Sequence, residues 1–189
     1  MRILLALALV LGTAAPLAAQ HHQHQHHPAQ PYAGQETRRI KALSEAEIKG
    51  YLNGEGMGYA KVAELNHYPG PRHVLELAEQ LDLTPEQRTK TQTIFEEMRK
   101  HAIELGEKVV KGEAELDRLF AERSVDEARL QRALHELAML QAELRATHLR
   151  AHLAMREVLT EAQIAEYDRL RGYSHGTGQG HDHNHGGHH

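Results

Sequence analysis

The chain has 189 residues, with 22 Lys and Arg, 26 Asp and Glu, and 17 His, which gives a formal net charge of −4 at pH 7. This length accommodates one ordinary domain with tails and excludes a second full domain. The acidic balance disfavours nucleic-acid binding, and the absence of cysteine excludes disulfides and thiolate chemistry.

Residues 1–19 have the pattern of a signal peptide. Arg2 supplies the positive start, residues 3–11 form an apolar run, and residues 14–19 are mostly alanine. The run is too short to span a bilayer of ~30 Å, and no later segment approaches the ~20 apolar residues of a transmembrane helix. We therefore expect export to the periplasm and a mature protein that does not span the membrane.

Residues 20–37 and 174–189 are predicted to be disordered tails, because they are rich in His, Gln, Gly and Pro and have no apolar period. Imidazole suits zinc, copper and nickel, so the tails are predicted to bind divalent transition metals loosely and with little selectivity. The alternative is a solubilising role. The candidate tail ligands are His21, His22, His24, His26, His27, His175, His181, His183, His185, His188 and His189.

The start of the mature chain offers a more defined metal site. Cleavage after Ala18 or after Ala19 would place His21 or His22 third from a free amine. The amine, two deprotonated amides and the imidazole can then form a square-planar site for Cu²⁺ or Ni²⁺. Cyclisation of an N-terminal Gln20 would abolish this site.

Four Ser/Thr-x-x-Glu/Gln capping boxes predict helix starts. Residues 38–71 are predicted to form short helices around a glycine-rich bend, and a further helix is predicted over 72–81. The four boxes are Ser44/Glu47, Thr84/Gln87, Ser124/Glu127 and Thr160/Gln163.

Two long apolar seams predict a helical hairpin. The first follows Pro85 over residues 85–121, about 55 Å at 1.5 Å per residue, and the second runs over 130–158. Because the turn between them is short, the two helices must lie antiparallel. A last short helix begins at Thr160 and is predicted to end at Gly172. The predicted fold class is all-α, with short helices flanking the long hairpin.

Leu-Thr-x-x-Gln occurs twice, at residues 83–87 and 159–163, flanking the hairpin behind the export signal. This arrangement resembles the Spy/CpxP family of periplasmic stress proteins and its zinc-resistance-associated and heavy-metal-sensor relatives. The resemblance covers residues 72–173 and implies an all-helical, often dimeric protein. Such a protein holds unfolding envelope proteins without ATP, or binds metal and reports on it to a sensor protein.

A second candidate metal site lies in the hairpin. With the turn near residue 122, Glu97 is predicted to face His148, and His101 to face Leu144. Glu97 and His101 are four residues apart, as are His148 and His152, so each pair shares a helical face. These four ligands could converge on one ion. The alternative places His148 in the core and the other three in solvent. His135 and Met139, also four residues apart, form a further candidate pair of softer metal ligands.

Histidine followed by glutamate at His135 lacks the spacing of a zinc protease, and no nucleophilic triad is visible. The sequence therefore predicts a non-enzyme that binds or buffers metals during envelope stress, with holdase activity as an accompanying role. The alternatives are a plain periplasmic chaperone with incidental tails and a regulatory heavy-metal sensor.

Overall fold

The structure, a computed structural model, describes residues 30–173. Residues 30–33 form a turn and belong to one unit of the chain, and residues 34–173 belong to a second unit. The predictions on residues 1–29 and 174–189, including the signal peptide and the tail histidines, lie outside the described residues. Within those residues, no helix combines the length and apolarity that a membrane crossing needs.

The all-α prediction is confirmed: the described residues contain helices and no named strand. The helices are α1 (Glu45–Asn53), α2 (Lys61–Glu64), α3 (Pro71–Glu76), α4 (Pro85–Ala121), α5 (Glu127–Val158) and α6 (Glu161–Arg171). The helix predicted over 72–81 is shorter than expected, because α3 gives way to turns after Glu76. These turns end at Asp82, which has a left-handed φ of 48°.

Three of the four predicted capping boxes are present with both hydrogen bonds, at Ser44, Thr84 and Thr160. The fourth prediction is wrong. Asp126 caps α5, accepting a 2.8 Å hydrogen bond from the Arg129 amide. Ser124 instead belongs to the turn, where its amide donates to the Leu119 carbonyl at the end of α4. The chain leaves α4 through Arg123 at a φ of 53°. Ser124 therefore lies in the turn that ends α4, not at the cap position of α5.

α4 and α5 pack along their length as the predicted antiparallel hairpin. Their register differs from the prediction by about one helical turn. Gly112 lies against Leu137, whereas the predicted pairing of Glu97 with His148 would put Gly112 against a residue four positions before Leu137. Gly106 has another role in α4: a Cβ there would lie 2.2 Å from the Tyr51 carbonyl oxygen of α1. Only glycine allows α1 to approach α4 this closely.

The two Leu-Thr-x-x-Gln motifs are joined at the open end of the hairpin. Gln87 Nε2 donates to Gln163 Oε1 over 2.8 Å, and Gln163 Nε2 donates to Gln87 Oε1 over 3.0 Å. Each amide group also donates to a main-chain carbonyl, of Val158 and Leu81 respectively. A glutamate could not donate these bonds, so the motifs need glutamine to fasten α4 to the start of α6.

Candidate functional site

A cleft of about 870 Å³ lies between the hairpin and the chain that leads from α1 to α3. Its floor includes Phe95 and Met98 of α4 and His148 and His152 of α5. Glu64 of α2 also lines the cleft. The cleft has the size of a typical small-ligand site, with a few polar groups on a partly apolar wall.

His148 lies in the core, with only 4% of its surface exposed. Its ring stacks on Tyr59, with centroids 5.9 Å apart and planes 12° from parallel. Burial, together with the charge of His152, lowers the pKa of His148 to about 4. The imidazole is therefore neutral near pH 7. Its Nε2 atom is buried and has no hydrogen-bond partner among the described residues.

His152 is one helical turn further along the same face of α5 and is also buried. Its Nδ1 atom is 2.7 Å from the main-chain oxygen of Tyr68. A carbonyl oxygen only accepts, so Nδ1 must carry the hydrogen. In the neutral ring this leaves the lone pair on Nε2. A carbonyl that orients a histidine through its other nitrogen is a recurrent arrangement around metal ligands.

Glu64 lies close to His152 but has other partners. Its Oε2 is 3.7 Å from His152 Nδ1, while Oε1 accepts a 2.5 Å hydrogen bond from the Tyr167 hydroxyl and lies 3.6 Å from Arg171 Nε. Burial and then the hydrogen bond to Glu64 raise the pKa of Tyr167, which stays protonated and continues to donate. Glu64 is thus committed to holding α2 on α6.

The structure does not bring together the four hairpin ligands that the sequence predicted. Glu97 and His101 are exposed and line a separate cavity with Thr147 and Ala151. His148 and His152 lie on another face of α5, towards the α2 cleft. The two pairs therefore line different cavities. Across residues 30–173, no group of three or more His, Cys, Asp or Glu side chains is arranged to hold a metal ion.

The softer pair, His135 and Met139, is exposed on α5, and Met139 has 60% of its surface in solvent. Sequence reasoning missed the groups that surround His152, namely Glu64, Tyr68 and Tyr167. Glu64 and Tyr167 are 103 residues apart, and Tyr68 and His152 are 84 apart. No local pattern in the sequence joins positions so distant.

A long antiparallel helical hairpin with short flanking helices and a buried histidine pair defines an all-helical protein with an internal cleft. The class agrees with the comparison to known families, in which residues 60–166 match the model described as heavy-metal resistance. The match spans more than half of the chain, and the protein belongs to this heavy-metal resistance family. The family is related to Spy/CpxP-like periplasmic proteins. No curated protein and no solved structure gave a significant match.

Proposed function

We propose that this protein acts in the periplasm as a non-enzymatic, Spy/CpxP-like binder of divalent transition metals during envelope metal stress. Membership of the heavy-metal resistance family supports this role. Eleven of the 17 histidines lie in the two terminal segments, outside the helical domain. These segments would buffer zinc, copper or nickel ions with low selectivity, since imidazole binds all three.

The observation that carries the proposal is the histidine pair on α5. His148 and His152 are buried neighbours on one helical face, and each ring in its neutral form can offer its Nε2 lone pair. These two nitrogens fit a borderline-soft divalent ion. The fold supplies no third His, Cys, Asp or Glu ligand among the described residues, so solvent or a tail imidazole would complete the coordination.

Metal-binding stoichiometry and affinity test this proposal in the full exported chain. One variant replaces the eleven tail histidines with Asn, a second carries His148→Gln and His152→Gln, and a matched control carries His73→Gln and His101→Gln. We expect the tail variant to lose most of the bound zinc in equilibrium dialysis. The His148/His152 variant should lose the tightest site, measured against a chromophoric chelator.

The control pair should bind like the parent chain, because His73 and His101 are outside the proposed ligand pair. If the His148/His152 variant kept every binding constant of the parent, the helical domain would contribute no ligand. If the tail variant bound as many ions as the parent, the buffering role of the tails would be wrong.

A second candidate function, ATP-independent holdase activity, is favoured by apolar side chains exposed on the hairpin. Phe120, Leu134, Met139 and Leu153 each have about half or more of their surface in solvent. Such surfaces can bind unfolding clients weakly. Light scattering of an aggregating client, with and without zinc, separates the functions: equal suppression in both conditions favours the plain chaperone, and zinc binding without suppression favours a buffer or a sensor.

A further inference from the structure

The buried Nε2 atom of His148 is sealed from solvent although its ring borders the cleft. Tyr59 covers one face of the ring, and the segment that follows Tyr59 runs over the cleft. Residues 59–70, here named the strap, include α2 and lead to α3. A ligand cannot contact the buried His148 Nε2 in this conformation.

Between Tyr59, which packs against the apolar core, and the buried Pro69, the strap is held mainly by polar contacts. α2 has no buried residue, and both Val62 and Leu65 are 52% exposed. Segments with few buried apolar contacts are those that open at low cost in the native state.

Several polar contacts hold the strap on α5 and α6, and the Tyr167 hydroxyl takes part in two of them. Tyr167 donates to Glu64 over 2.5 Å, and its oxygen also accepts a 3.4 Å bond from the Gly70 amide. His67 Nδ1 lies 2.6 Å from Asp168 Oδ2. The Tyr68 carbonyl accepts from His152, as described above. Tyr167 therefore fastens the strap at both α2 and Gly70.

One end of the strap has the backbone features of a hinge, and the other end is rigid. Gly54 and Gly58 precede it at φ values of 65° and 80°, with Met57 at 42° between them. Pro69 and Pro71 flank Gly70 at the other end, where Pro69 is fully buried. Rotation at the glycines would lift Tyr59 and α2 while the proline end stays in place.

We propose that the strap is a lid over the His148/His152 pair, and that the Tyr167 hydroxyl latches it shut through Glu64 and Gly70. Opening the lid removes the Tyr59 ring from His148 and the Tyr68 carbonyl from His152. The lid thereby controls entry to the pair that we propose as metal ligands. Opening itself does not depend on metal and can be measured without it.

Diethylpyrocarbonate acylates neutral imidazole nitrogen, and peptide mass spectrometry of the full chain follows each histidine separately. In the parent protein, we expect His148 to react at least about tenfold more slowly than the exposed His101 in the same molecules. Tyr167→Phe should speed acylation of His148 by roughly tenfold, the factor that corresponds to losing about 1.4 kcal/mol of hydrogen-bond stabilisation. Glu79→Gln, a surface change at an exposed ion pair with Arg88, should leave the rate unchanged.

Hydrogen exchange of the parent protein provides a measurement that needs no variant. Amides of residues 60–68 should exchange faster than those of α5 around residues 144–152, against which the strap lies. Equal protection in both segments would overturn the lid, even if Tyr167→Phe fails to fold. Acylation of His148 as fast as His101 in the parent, or an unchanged rate in a folded Tyr167→Phe protein, would also overturn it. If acylation and hydrogen exchange behaved as expected but the parent protein bound no metal at His148 and His152, only the proposed function would be wrong.

Discussion

The low pKa of His148 predicts that the protein loses stability in mild acid. Burial and the charge of His152 hold this pKa at about 4, whereas the same histidine in the unfolded chain has a pKa of 6.5. As the pH falls below 6.5, the unfolded chain takes up a proton at this position before the folded protein does. The unfolded state therefore binds more protons in this window, and the free energy of unfolding decreases as the pH falls.

The size of the effect follows from the two pKa values. The linkage relation gives a loss of about 2 kcal/mol between pH 7 and pH 5, rising to about 3 kcal/mol at pH 4, where the folded protein also begins to take up the proton. Such a loss is a large fraction of the stability of an ordinary domain. Contributions from other groups are superimposed on it.

Urea unfolding at pH 7 and pH 5 isolates the contribution of His148 when the parent is compared with His148→Leu. Leucine keeps an apolar side chain in the core but cannot ionise. The variant should lose about 2 kcal/mol less than the parent over this interval, whatever its stability at pH 7. His101→Leu, at an exposed histidine, should retain the pH dependence of the parent. If His148→Leu retained it too, the assignment of a low pKa to His148 would be refuted.

Three further predictions concern the fold. Gly106→Ala places a Cβ against the main chain of α1 and should lower the free energy of unfolding by about 3 kcal/mol, whereas Gly56→Ala, where no atom lies within 4 Å, should change it by less than about 1 kcal/mol; thermal unfolding compares the two. Asp126→Ala should lower the free energy of unfolding by about 1 kcal/mol, and Ser124→Ala should lower it by less. If urea unfolding gave the reverse order, Ser124 and not Asp126 would be the cap of α5. Gln163→Glu sets a carboxylate against two oxygen acceptors and should cost about 1–3 kcal/mol at pH 7, with partial recovery below pH 5, because a protonated carboxyl can donate one of the lost bonds.

Local chemistry made most of the helix boundaries predictable. Thr84 followed by Pro85, the Thr160 capping box and Gly172 beyond α6 each act within a few residues of their own position. The same reasoning failed between α4 and α5, where Ser124 and Asp126 compete for one cap. Both residue types cap helices well, and the path of the chain through Arg123 decides between them.

The sequence by itself determined that two long amphipathic helices fold back on each other, because the apolar seams and the short turn allow no other pairing. Only the tertiary structure decided which face of α5 carries His148 and His152. Each residue turns an α-helix by ~100°, so a small error in phase or register moves a side chain to a different neighbour. The packing places this pair under α2, where Glu64 and Tyr167 meet from distant parts of the chain, and leaves Glu97 and His101 on another surface of the hairpin.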